Sequence, residues 1–299
     1  MDLRSAQVFV TLADTLHFGQ TATRCNLSSS AVSRQLARLE DAVGAPLMER
    51  DKRHVAITPA GREVLQLARR WLAEWSALRA ALGGNEEQLH GQLRVYASVT
   101  ASYTVLAKVL PPLRKRYPGI ELLLHTGDQA DGIERVLAGQ EDCAVVAEPD
   151  RLPASLAFAP LRRSPLVLIG PSDKGPLQKT MQAHLKKDEE PDWSSTPLVL
   201  AERGLARERL LKHLQSRGIN PLLYSEVGGH EAVVSMVSLG FGVAVVPEIV
   251  ITASPQRSAI QVLPWLSDLD DFVIGLCSKR DLLKDPLMDA FWRSAVAEV

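Results

Sequence analysis

The sequence has few cysteines, and their positions exclude the sites that cysteine pairs usually form. Only three occur in 299 residues, Cys25, Cys143 and Cys277, and no two of them form a C-x-x-C motif. This spacing indicates neither a zinc site nor a disulfide framework, and it favours a reducing cytoplasm. Cys143 and Cys277 lie in apolar segments, so we interpret them as core residues; a redox sensor would need an exposed thiol near cations.

Long apolar runs and chemical motifs are also missing. No apolar stretch reaches the roughly 18 residues that a membrane span needs, and no charged-then-apolar leader opens the chain. The seven histidines form no i, i+4 pair for zinc, and no serine lies in a G-x-S-x-G elbow. The Gly240-Phe241-Gly242 stretch lies between a helical pattern and a strand, the reverse of the order in dinucleotide sites, and therefore indicates a turn. The sequence predicts no enzyme, cofactor or metal site.

Neither sign of charge dominates the chain. With a net charge of −1, 46% hydrophobic residues and 23% charged residues, it is typical of a folded protein with two or three compact units. Residues 1–62, however, hold eight Lys or Arg against six Asp or Glu, a local balance of +2. Any affinity for DNA must therefore come from the placement of cations rather than from bulk charge.

Residues 17–61 have the pattern of a winged helix-turn-helix. Around Leu27 a polar run separates two helical patterns, and Ser28 can accept the free N–H groups in the first turn of the second helix. The apolar stripe of that helix consists of Val32, Leu36, Leu39 and Val43. Its other face carries hydroxyls and guanidiniums, which suit the base edges and phosphates of a DNA major groove. A merely solvated face is the alternative.

A basic hairpin follows this helix. Gly44 and Pro46 end the helix, and residues 47–50 and 55–58 predict two short strands around a cationic tip. Such a hairpin contacts phosphates or inserts arginine into a narrow minor groove, which favours DNA binding over a solvated face. The predicted DNA-contacting residues are Ser29, Ser30, Ser33, Arg34, Arg38, Arg50, Lys52 and Arg53.

A second long helical pattern begins after Thr58 and carries a heptad seam. The seam consists of Val64, Ala68, Trp71, Trp75, Leu78 and Leu82. One helix could bury such a seam against its own domain. Two tryptophans on a helix that joins two domains favour self-association, so we expect a helix-pair dimer that presents two winged helices to two half-sites. Gly83 and Gly84 then predict a hinge.

Residues 1–61 resemble the DNA-binding domain of the LysR-type transcriptional regulators. The residues that match the family's pattern are Ala22, Ser28, Ala31, Ser33, Arg34, Gln35, Leu39, Glu40, Gly44, Leu47, Arg50, Arg53, Thr58, Ala60 and Gly61. Two departures are notable. Ser29 and Ser30 replace a frequent Gln-Pro pair, so the family's base preference does not carry over, and Cys25 replaces a usual leucine.

From Gly91 onward, strands alternate with helices, which predicts an α/β domain with mainly parallel pairing. The same order occurs in residues 93–147 and again in residues 198–246, and it predicts two lobes that face each other across a cleft. Strand ends followed by helix N-termini direct partial positive charge into such a cleft, where small anions bind. Two further strands and an amphipathic helix from Pro286 are expected to return to the first lobe.

This region resembles the LysR-type effector domain, whose fold is that of type 2 periplasmic binding proteins. It is most similar to the branch that activates acetohydroxy acid isomeroreductase expression in isoleucine and valine synthesis. The segments that carry this likeness are SVTASYTVL at 98–106, TGDQADGIERV at 126–136, PDWSSTP at 191–197 and VGGHEAVVSMVSLGFGVAVVPEIV at 227–250. The resemblance runs from Met1 to about Trp292 and implies acetolactate or acetohydroxybutyrate as coinducer.

The predicted organisation has three parts. They are a winged helix-turn-helix domain at 1–58, a linker helix with a hinge at 59–90, and an effector domain at 91–299. Within the effector domain, lobe I covers about 91–161 and 268–299, and lobe II about 162–267.

A small 2-hydroxy-3-keto carboxylate needs donors for its carboxylate, a partner for its hydroxyl and a modest apolar wall. From the family's loop after the first effector-domain strand, we expect Ser98, Thr100 and the N–H groups that follow to hold the carboxylate, although these hydroxyls could also cap a helix. Asp128 is either the hydroxyl partner or a cap, and His230 either contacts ligand or caps. The predicted effector site is Ser98, Thr100, Ala101, Thr126, Asp128, Glu202 and His230.

The expected function is transcription activation in the cytoplasm, without a membrane partner. The expected partners are double-stranded promoter DNA with paired half-sites, a small anionic coinducer, RNA polymerase, and further copies of this chain in a homodimer or homotetramer. One alternative is a regulator of the same family that answers to another small carboxylate. Another is a solute-binding protein without a DNA function, against which the missing leader and the basic hairpin argue.

Overall fold

The computed structural model describes residues 2–51, 54–81, 89–173 and 175–298. Two units divide the chain, Met1–Glu86 with Lys284–Pro286 and Glu87–Leu283 with Leu287–Val299. Because the buried apolar residues of the winged-helix region form a cluster separate from those after Gly91, each region has a core of its own.

Three short helices, a hairpin and one long helix form the first unit. They are α1 (Leu3–Thr15), α2 (Phe18–Arg24), α3 (Ser29–Val43), β1 (Met48–Asp51), β2 (His54–Ile57) and α4 (Pro59–Ala81). The two strands pair antiparallel. This is the winged helix-turn-helix that the sequence predicts, with each strand shifted by one residue from its predicted bounds.

The apolar stripe of α3 packs inward except at its end. Val32, Leu36 and Leu39 are buried in the core of the first unit. Val43, the fourth predicted member, is 42% exposed. It is the last residue of the helix, because Gly44 takes a φ of 78° and turns the chain away, so no further helical turn covers it.

Thr58 and Gly61 attach the start of α4 to the hairpin. The hydroxyl of Thr58 donates to the carbonyl of Pro46 and accepts from the N–H of Gly61, each at 2.8 Å. A Cβ at Gly61 would lie 2.1 Å from the carbonyl oxygen of Leu47, so a side chain there would push the helix off the hairpin. The Thr-x-Ala-Gly motif therefore serves packing within this unit.

The first part of the heptad seam on α4 packs into its own domain. Ala68 is fully buried, and Val64 lies partly buried against the winged-helix core. Arg69 forms an ion pair with Asp14 of α1 at 2.5 Å. Ala68 therefore belongs to the core of its own domain, where α1 packs against α4, and the prediction that it serves self-association is wrong; for Val64, which is only partly buried, that role stays a prediction.

The later part of the seam faces outward. Trp75 and Leu78 are 45% and 50% exposed, and Trp71 is half-buried. Leu67, which the heptad omits, is also 50% exposed. Leu82, Gly83 and Gly84 lie outside the described residues.

Lobe I of the second unit has one five-stranded sheet. Its strands are β3 (Gly91–Ala97), β4 (Ile120–Thr126), β5 (Cys143–Ala147), β6 (Leu156–Ser164) and β12 (Phe272–Lys279), in the order β4-β3-β5-β12-β6. Its helices are α5 (Val99–Ala101), a π segment (Ser102–Leu106), α6 (Ala107–Arg116), a 3-10 turn (Gln129–Asp131), α7 (Gly132–Leu137) and α12 (Pro286–Ala297). Phe291 of α12 is buried in the core of this unit.

Lobe II has the same layered plan. Its strands are β7 (Leu166–Pro171), β8 (Leu198–Ala201), β9 (Leu223–Val227), β10 (Ala244–Pro247) and β11 (Ile260–Leu263). β10, β7 and β11 pair in that order, and a parallel bridge from Leu198 to Val243 connects them to the β8–β9 pair. The helices are α8 (Pro176–Lys187), α9 (Leu205–Ser216), α10 (His230–Ser238) and α11 (Glu248–Ala253).

Both sheets are mixed, so the prediction of mainly parallel pairing is wrong. β3 pairs in parallel with β4 and β5, and β8 with β9. β12 is antiparallel to β5 and β6, and β7 is antiparallel to β10 and β11. The reason is the connection: β7 and β12 are the strands by which the chain enters each sheet from the other lobe. β7 follows β6 after Pro165 alone, and β12 follows β11, so neither arrives through a crossover helix from a neighbouring strand of its own sheet, as parallel pairing needs.

Cys143 and Cys277 are fully buried in lobe I, as predicted. They belong to two different apolar clusters on opposite faces of the sheet. Burial raises the pKa of Cys143 well above its usual value and the pKa of Cys277 to about 11. Both thiols therefore stay protonated at neutral pH, which does not suit a redox sensor.

Candidate functional site

The outer face of α3 carries two arginines that are available to a ligand. Ser28 caps the helix by accepting a hydrogen bond from the N–H of Ala31 at 3.2 Å. Arg34 and Arg38 are exposed, and no hydrogen bond or ion pair within the described ranges occupies their guanidiniums. This face is therefore cationic and free, as contact with DNA requires.

The predicted serines lie on the same helix. Ser29 and Ser30 are exposed, and Ser33 is half-buried. The hydroxyls of Ser30 and Ser28 lie 3.0 Å apart, so Ser30 has a neighbour within its own chain. The Arg50 side chain, Lys52 and Arg53 lie outside the described residues.

Local contacts orient α3 against the helices before it. Gln35 accepts a hydrogen bond from the hydroxyl of Ser5 at 3.2 Å, so this residue of the Ser-Arg-Gln motif contacts α1. Asn26 takes a φ of 53° in the turn, a conformation that asparagine tolerates better than most residues. Arg4 donates to the carbonyl of Cys25 at 2.8 Å. Hydrogen bonds from α1 therefore reach both α3 and the turn before it, and they orient α3.

In the second unit, four strand ends bring polar side chains into one cleft. Ser98 and Asp128 follow β3 and β4 in lobe I, while Arg203 and His230 follow β8 and β9 in lobe II. Contacts join the two lobes at these strand ends. The strand ends of the two lobes therefore face each other and both contribute charged groups; we call this junction the cleft, and its binding of a ligand stays a prediction.

The predicted ligand donors on Thr100 hold a carboxylate from the other lobe. Glu231, in the first turn of α10, accepts a hydrogen bond from the backbone N–H of Thr100 at 2.8 Å. The same oxygen, Oε1, accepts from the Thr100 hydroxyl at 2.6 Å. Thr100 is only 7% exposed, so these two donors bind one carboxylate oxygen in partly desolvated surroundings. We call the N–H and the hydroxyl of Thr100 together the Thr100 grip.

Ser98 and Ala101 form the helix cap that was the alternative to ligand binding. The hydroxyl of Ser98 accepts from the N–H of Ala101 at 3.1 Å, and the carbonyl of Ser98 accepts from the hydroxyl of Ser102 at 3.0 Å. The N–H after Thr100, expected to hold the carboxylate, is thus engaged with Ser98. The N–H of Thr100 itself is the one that meets a carboxylate.

A second contact between the lobes joins Arg203 to the acidic turn after β4. The Arg203 guanidinium lies 2.6 Å from the carboxylate of Asp131 and 3.8 Å from that of Asp128. Gly204 takes a φ of 104°, and a Cβ there would lie 3.3 Å from the side-chain nitrogen of Gln129. The two lobes therefore approach closely at the start of α9.

Asp128 caps the turn after β4. Its Oδ1 accepts from the N–H of Ala130 at 3.1 Å, which is the capping alternative, and its Oδ2 faces Arg203. The backbone carbonyl of Asp128 accepts from the hydroxyl of Tyr96 at 2.9 Å. A Cβ at Gly127 would lie 2.3 Å from that hydroxyl, so the glycine makes room for the tyrosine that holds the turn.

His230 is buried at the start of α10, and only 8% of it is exposed. Its ring meets the edge of Phe272 with 5.7 Å between centroids. Burial lowers its pKa, against smaller opposing effects of Glu231 and Asp128. His230 is therefore neutral near pH 7 and packs where the lobes meet, so it contributes no cation to the cleft.

The two remaining predicted residues are exposed. Thr126 ends β4 with its side chain exposed, and Glu202 is exposed after β8. The backbone N–H of Glu202 donates to the carbonyl of Val227 at 2.9 Å, which extends the β8–β9 pairing. Ligand contact by either side chain stays a prediction.

Sequence reasoning missed Glu231, Arg203 and Tyr96. Glu231 and Arg203 directly follow the two residues that were named in lobe II, His230 and Glu202. Each lies one position further into the turn, and its side chain reaches the other lobe. Tyr96 lies within a buried strand, where an aromatic residue indicates core and its hydroxyl contact gives no sequence signal.

The helices of lobe II offer further donors. Within the described residues, α9 and α10 have no side-chain cap, and each begins after a glycine, Gly204 or Gly229, with positive φ. Side chains therefore leave the first-turn N–H groups uncapped, and the helix dipole favours an anion near them.

Along the described chain no helix is long and apolar enough to cross a membrane, and no cluster of three or more metal-ligating side chains occurs.

Comparison with known families covers both units. Residues 3–62 match the family described as "Bacterial regulatory helix-turn-helix protein, lysR family", and residues 86–299 match "LysR substrate binding domain". The chain is 38% identical over 296 residues to the HTH-type transcriptional regulator IlvY of Escherichia coli, covering 98% of each chain. It is 36% identical over 293 residues to the HTH-type transcriptional activator IlvY of Haemophilus influenzae, covering 98% of this chain and 99% of that one.

Solved structures show a similar fold. A full-length OxyR variant from Pseudomonas aeruginosa matches with a TM-score of 0.71 and 23% identity, covering 99% of this chain and 94% of that one. Full-length CbnR in a complex with its target DNA matches with a TM-score of 0.58 and 21% identity, covering 100% of both chains. At these identities the likeness concerns the fold.

Proposed function

The chain belongs to the LysR family of bacterial transcriptional regulators, and from that premise we propose that it activates an acetohydroxy acid isomeroreductase gene in response to acetolactate or acetohydroxybutyrate. It is a DNA-binding regulator and not an enzyme, and regulators of this family bind DNA and small-molecule coinducers. The IlvY relatives, which match over nearly the whole chain and are named a transcriptional regulator and a transcriptional activator, support the role as an activator. The target gene and the ligand are what the resemblance of residues 98–106 and 227–250 implies.

The DNA-binding part of the proposal rests on the free face of α3. Arg34 and Arg38 are exposed there without an ion-pair partner among the described residues. We propose that two copies of this helix read paired half-sites, with dimerisation through Trp75, Leu78 and their neighbours on α4. As an activator the protein would act on RNA polymerase at the promoter, and it would do so in the cytoplasm.

The ligand part rests on one observation, the grip of Thr100 on a carboxylate oxygen. The two donors point at the Glu231 carboxylate at 2.8 and 2.6 Å, which are distances of strong, charge-assisted hydrogen bonds. We propose that the carboxylate of acetolactate takes this place, while Oδ2 of Asp128 accepts the proton of its 2-hydroxyl group. Lobe II would then close on the ligand from the side of Arg203 and His230.

Calorimetric titration with acetolactate tests the ligand site. Thr100→Val keeps the shape and removes the hydroxyl donor, so acetolactate affinity should fall, by at most about 3 kcal/mol, the upper range for a hydrogen bond to a charged group. Thr180→Val is the matched control, because its hydroxyl contacts only the backbone of α8. Because Glu231 loses the same hydroxyl donor, the variant is also compared in a Glu231→Ala background, and wild-type affinity of Thr100→Val together with no loss in that background would place the ligand elsewhere.

A gel shift on the protein's own upstream intergenic DNA tests the regulatory role. We expect specific retardation that competitor operator abolishes and random DNA does not. A thermal-shift screen of small carboxylates separates acetolactate from other coinducers, since Thr100 could hold the carboxylate of any of them. If only a different acid stabilises the protein, the regulatory role stands and the proposed identity of the ligand is wrong.

A further inference from the structure

The Thr100 grip is already occupied by a group of this chain. Glu231 reaches it from the opposite lobe and takes both donors with one oxygen. We propose that Glu231 is a specificity-determining residue of the effector site: its carboxylate competes for Thr100, so that only a ligand with a carboxylate of its own displaces it. The proposal rests on the proposed function of this cleft as the effector site.

The chemistry of the grip explains why a neutral ligand cannot replace Glu231. The N–H and hydroxyl of Thr100 are nearly buried, with 7% of the residue exposed, so leaving them unpaired is unfavourable. An ionised acceptor forms shorter and stronger hydrogen bonds than a ketone or an alcohol. Exchange is therefore balanced for an incoming carboxylate, whereas a neutral acceptor loses charge-assisted bonds.

The surroundings of Glu231 allow it to leave. Glu231 follows Gly228 and Gly229, and a Cβ at Gly228 would meet nothing within 4 Å. A Cβ at Gly229 would lie at the ordinary contact distance of 3.4 Å from Oε2 of Glu231, so this turn does not crowd the side chain, and Glu231 is itself only half-buried. Two carboxylates at the same pair of donors would repel each other. An entering ligand anion therefore drives Glu231 out towards solvent.

Titration calorimetry with two probes tests the competition. The first is acetolactate, and the second is acetoin, which keeps the hydroxyl, ketone and methyl groups but has no carboxylate. Without Glu231, acetolactate should bind roughly ten- to a hundredfold more tightly, the factor that one hydrogen bond to a charged group contributes. Glu231→Ala should show the larger gain and Glu231→Gln a smaller one, because an amide oxygen still accepts from Thr100. Acetoin should bind the wild type only weakly and should gain affinity in Glu231→Ala, because its ketone can then accept from the Thr100 donors that Glu231 occupies in the wild type. Unchanged acetoin affinity in Glu231→Ala would mean that Glu231 does not exclude neutral ligands, and it would overturn the proposal.

A matched control removes one charge without touching the grip. Glu208 lies in the first turn of α9, as Glu231 does in α10, and it is exposed. Glu208→Gln should leave acetolactate affinity unchanged. An equal gain in the Glu208 and Glu231 variants would mean that general repulsion of anions is relieved, and this would overturn the competition.

A double-mutant comparison gives a second, independent sign. Thr100→Val weakens the hold on the ligand and also the hold on Glu231, so part of its effect on affinity cancels while Glu231 is present. In a Glu231→Ala background this cancellation is gone, and Thr100→Val should reduce acetolactate affinity by a larger factor than in the wild type. Equal factors in the two backgrounds would overturn the proposal.

A measurement without ligand separates this proposal from the proposed function. The Thr100 amide donates to Glu231, so its hydrogen exchange should be faster in ligand-free Glu231→Ala protein than in wild type and unchanged in Glu208→Gln. If acetolactate binds none of the proteins, the proposed coinducer is wrong, and the exchange rate still decides whether Glu231 occupies the grip. An unchanged exchange rate, or equal acetolactate affinity in wild type and both Glu231 variants, overturns the role of Glu231.

Discussion

Burial decides the charge of the one histidine in the cleft. His230 lies against Phe272, and burial lowers its pKa more than the neighbouring carboxylates of Glu231 and Asp128 raise it. A neutral imidazole can donate one hydrogen bond but offers no net charge to an anion. Under the proposed function, recognition of a carboxylate in this cleft therefore depends on the donors of Thr100.

The lowered pKa of His230 has a consequence for stability at acid pH. The unfolded chain takes up a proton near the ordinary value of 6.5, while the folded protein resists protonation until lower pH. Stability should therefore fall as pH drops below about 6.5, with a slope of at most about 1.4 kcal/mol per pH unit from this one group. His230→Gln should flatten that slope in urea unfolding between pH 7.5 and 5.5. Parallel pH profiles for the two proteins would contradict the assignment.

At the level of elements, helix α3 is anchored in the core by its inner face and exposes its outer face. Its inner face is buried, and Ser28 and Gly44 define its ends. Arg34→Ala should lower operator affinity by about 1 to 3 kcal/mol and relax base preference, because a bidentate base contact is of that size. Arg53→Ala should weaken binding with a smaller change in preference, since wing residues mainly meet backbone or groove shape. Titrations against operator and random DNA measure both effects, and negligible losses in both variants would refute the assignment.

The long helix α4 packs into the winged-helix core at Ala68 and exposes apolar side chains at Trp75 and Leu78. Substitutions on the two sides should have different effects. Trp75→Glu with Leu78→Glu places charge on the outward side, where both residues are about half exposed. Sedimentation should show dissociation while circular dichroism shows a folded protein. Ala68→Glu places the same charge in the winged-helix core, where Ala68 has no exposed surface, and should destabilise that unit. Unaltered assembly of the double variant would place the dimer interface elsewhere.

Local signals explain which elements the sequence could predict. The bounds of α3 and α4 follow from apolar spacing together with Ser28, Gly44 and Thr58, all of which act within a few residues of the helix. The edge of the cleft could be predicted as well, because Ser98 follows the apolar strand β3 and His230 begins a helical pattern after β9. Both signals are read from neighbouring residues in the chain.

Long-range pairing and side-chain reach could not be predicted in the same way. The register of β12 with β6 pairs Phe272 with Ser164, more than a hundred residues away, and no local pattern encodes strand direction. Read from the sequence alone, an acidic residue such as Glu231 in the first turn of a helix indicates only a favourable interaction with the helix dipole. Its contact with Thr100 depends on the distance between two lobes, which only the folded chain sets.

At the scale of the effector domain, two of the contacts between the lobes involve charged side chains. Glu231 contacts Thr100 on one side, and Arg203 contacts Asp131 on the other. A ligand shifts the arrangement of the lobes only if it binds one arrangement better than another. Exchange of the Glu231 carboxylate for that of a ligand changes one of these two contacts and leaves the other in place. The expected motion is therefore a rotation of lobe II about the Arg203 side.

The final prediction is that acetolactate changes the geometry of bound DNA more than the affinity for it. Under the proposed function the ligand binds in the effector domain, whereas the predicted DNA-contacting residues belong to the winged helix-turn-helix, so the hydrogen bonds and charges of α3 should be the same with and without it. A rotation of the lobes passed on through the linker, with its predicted hinge at Gly83 and Gly84, would alter the spacing of two bound winged helices and so the bend of the DNA. Footprinting and circular-permutation gel shifts with and without acetolactate measure this change. In the Arg203→Gln protein the footprints with and without ligand should differ less, because the contact with Asp131 about which lobe II is expected to rotate is lost. An unchanged footprint at a ligand concentration that saturates the wild-type protein would rule out the switch, since binding would then be uncoupled from the spacing of the half-sites.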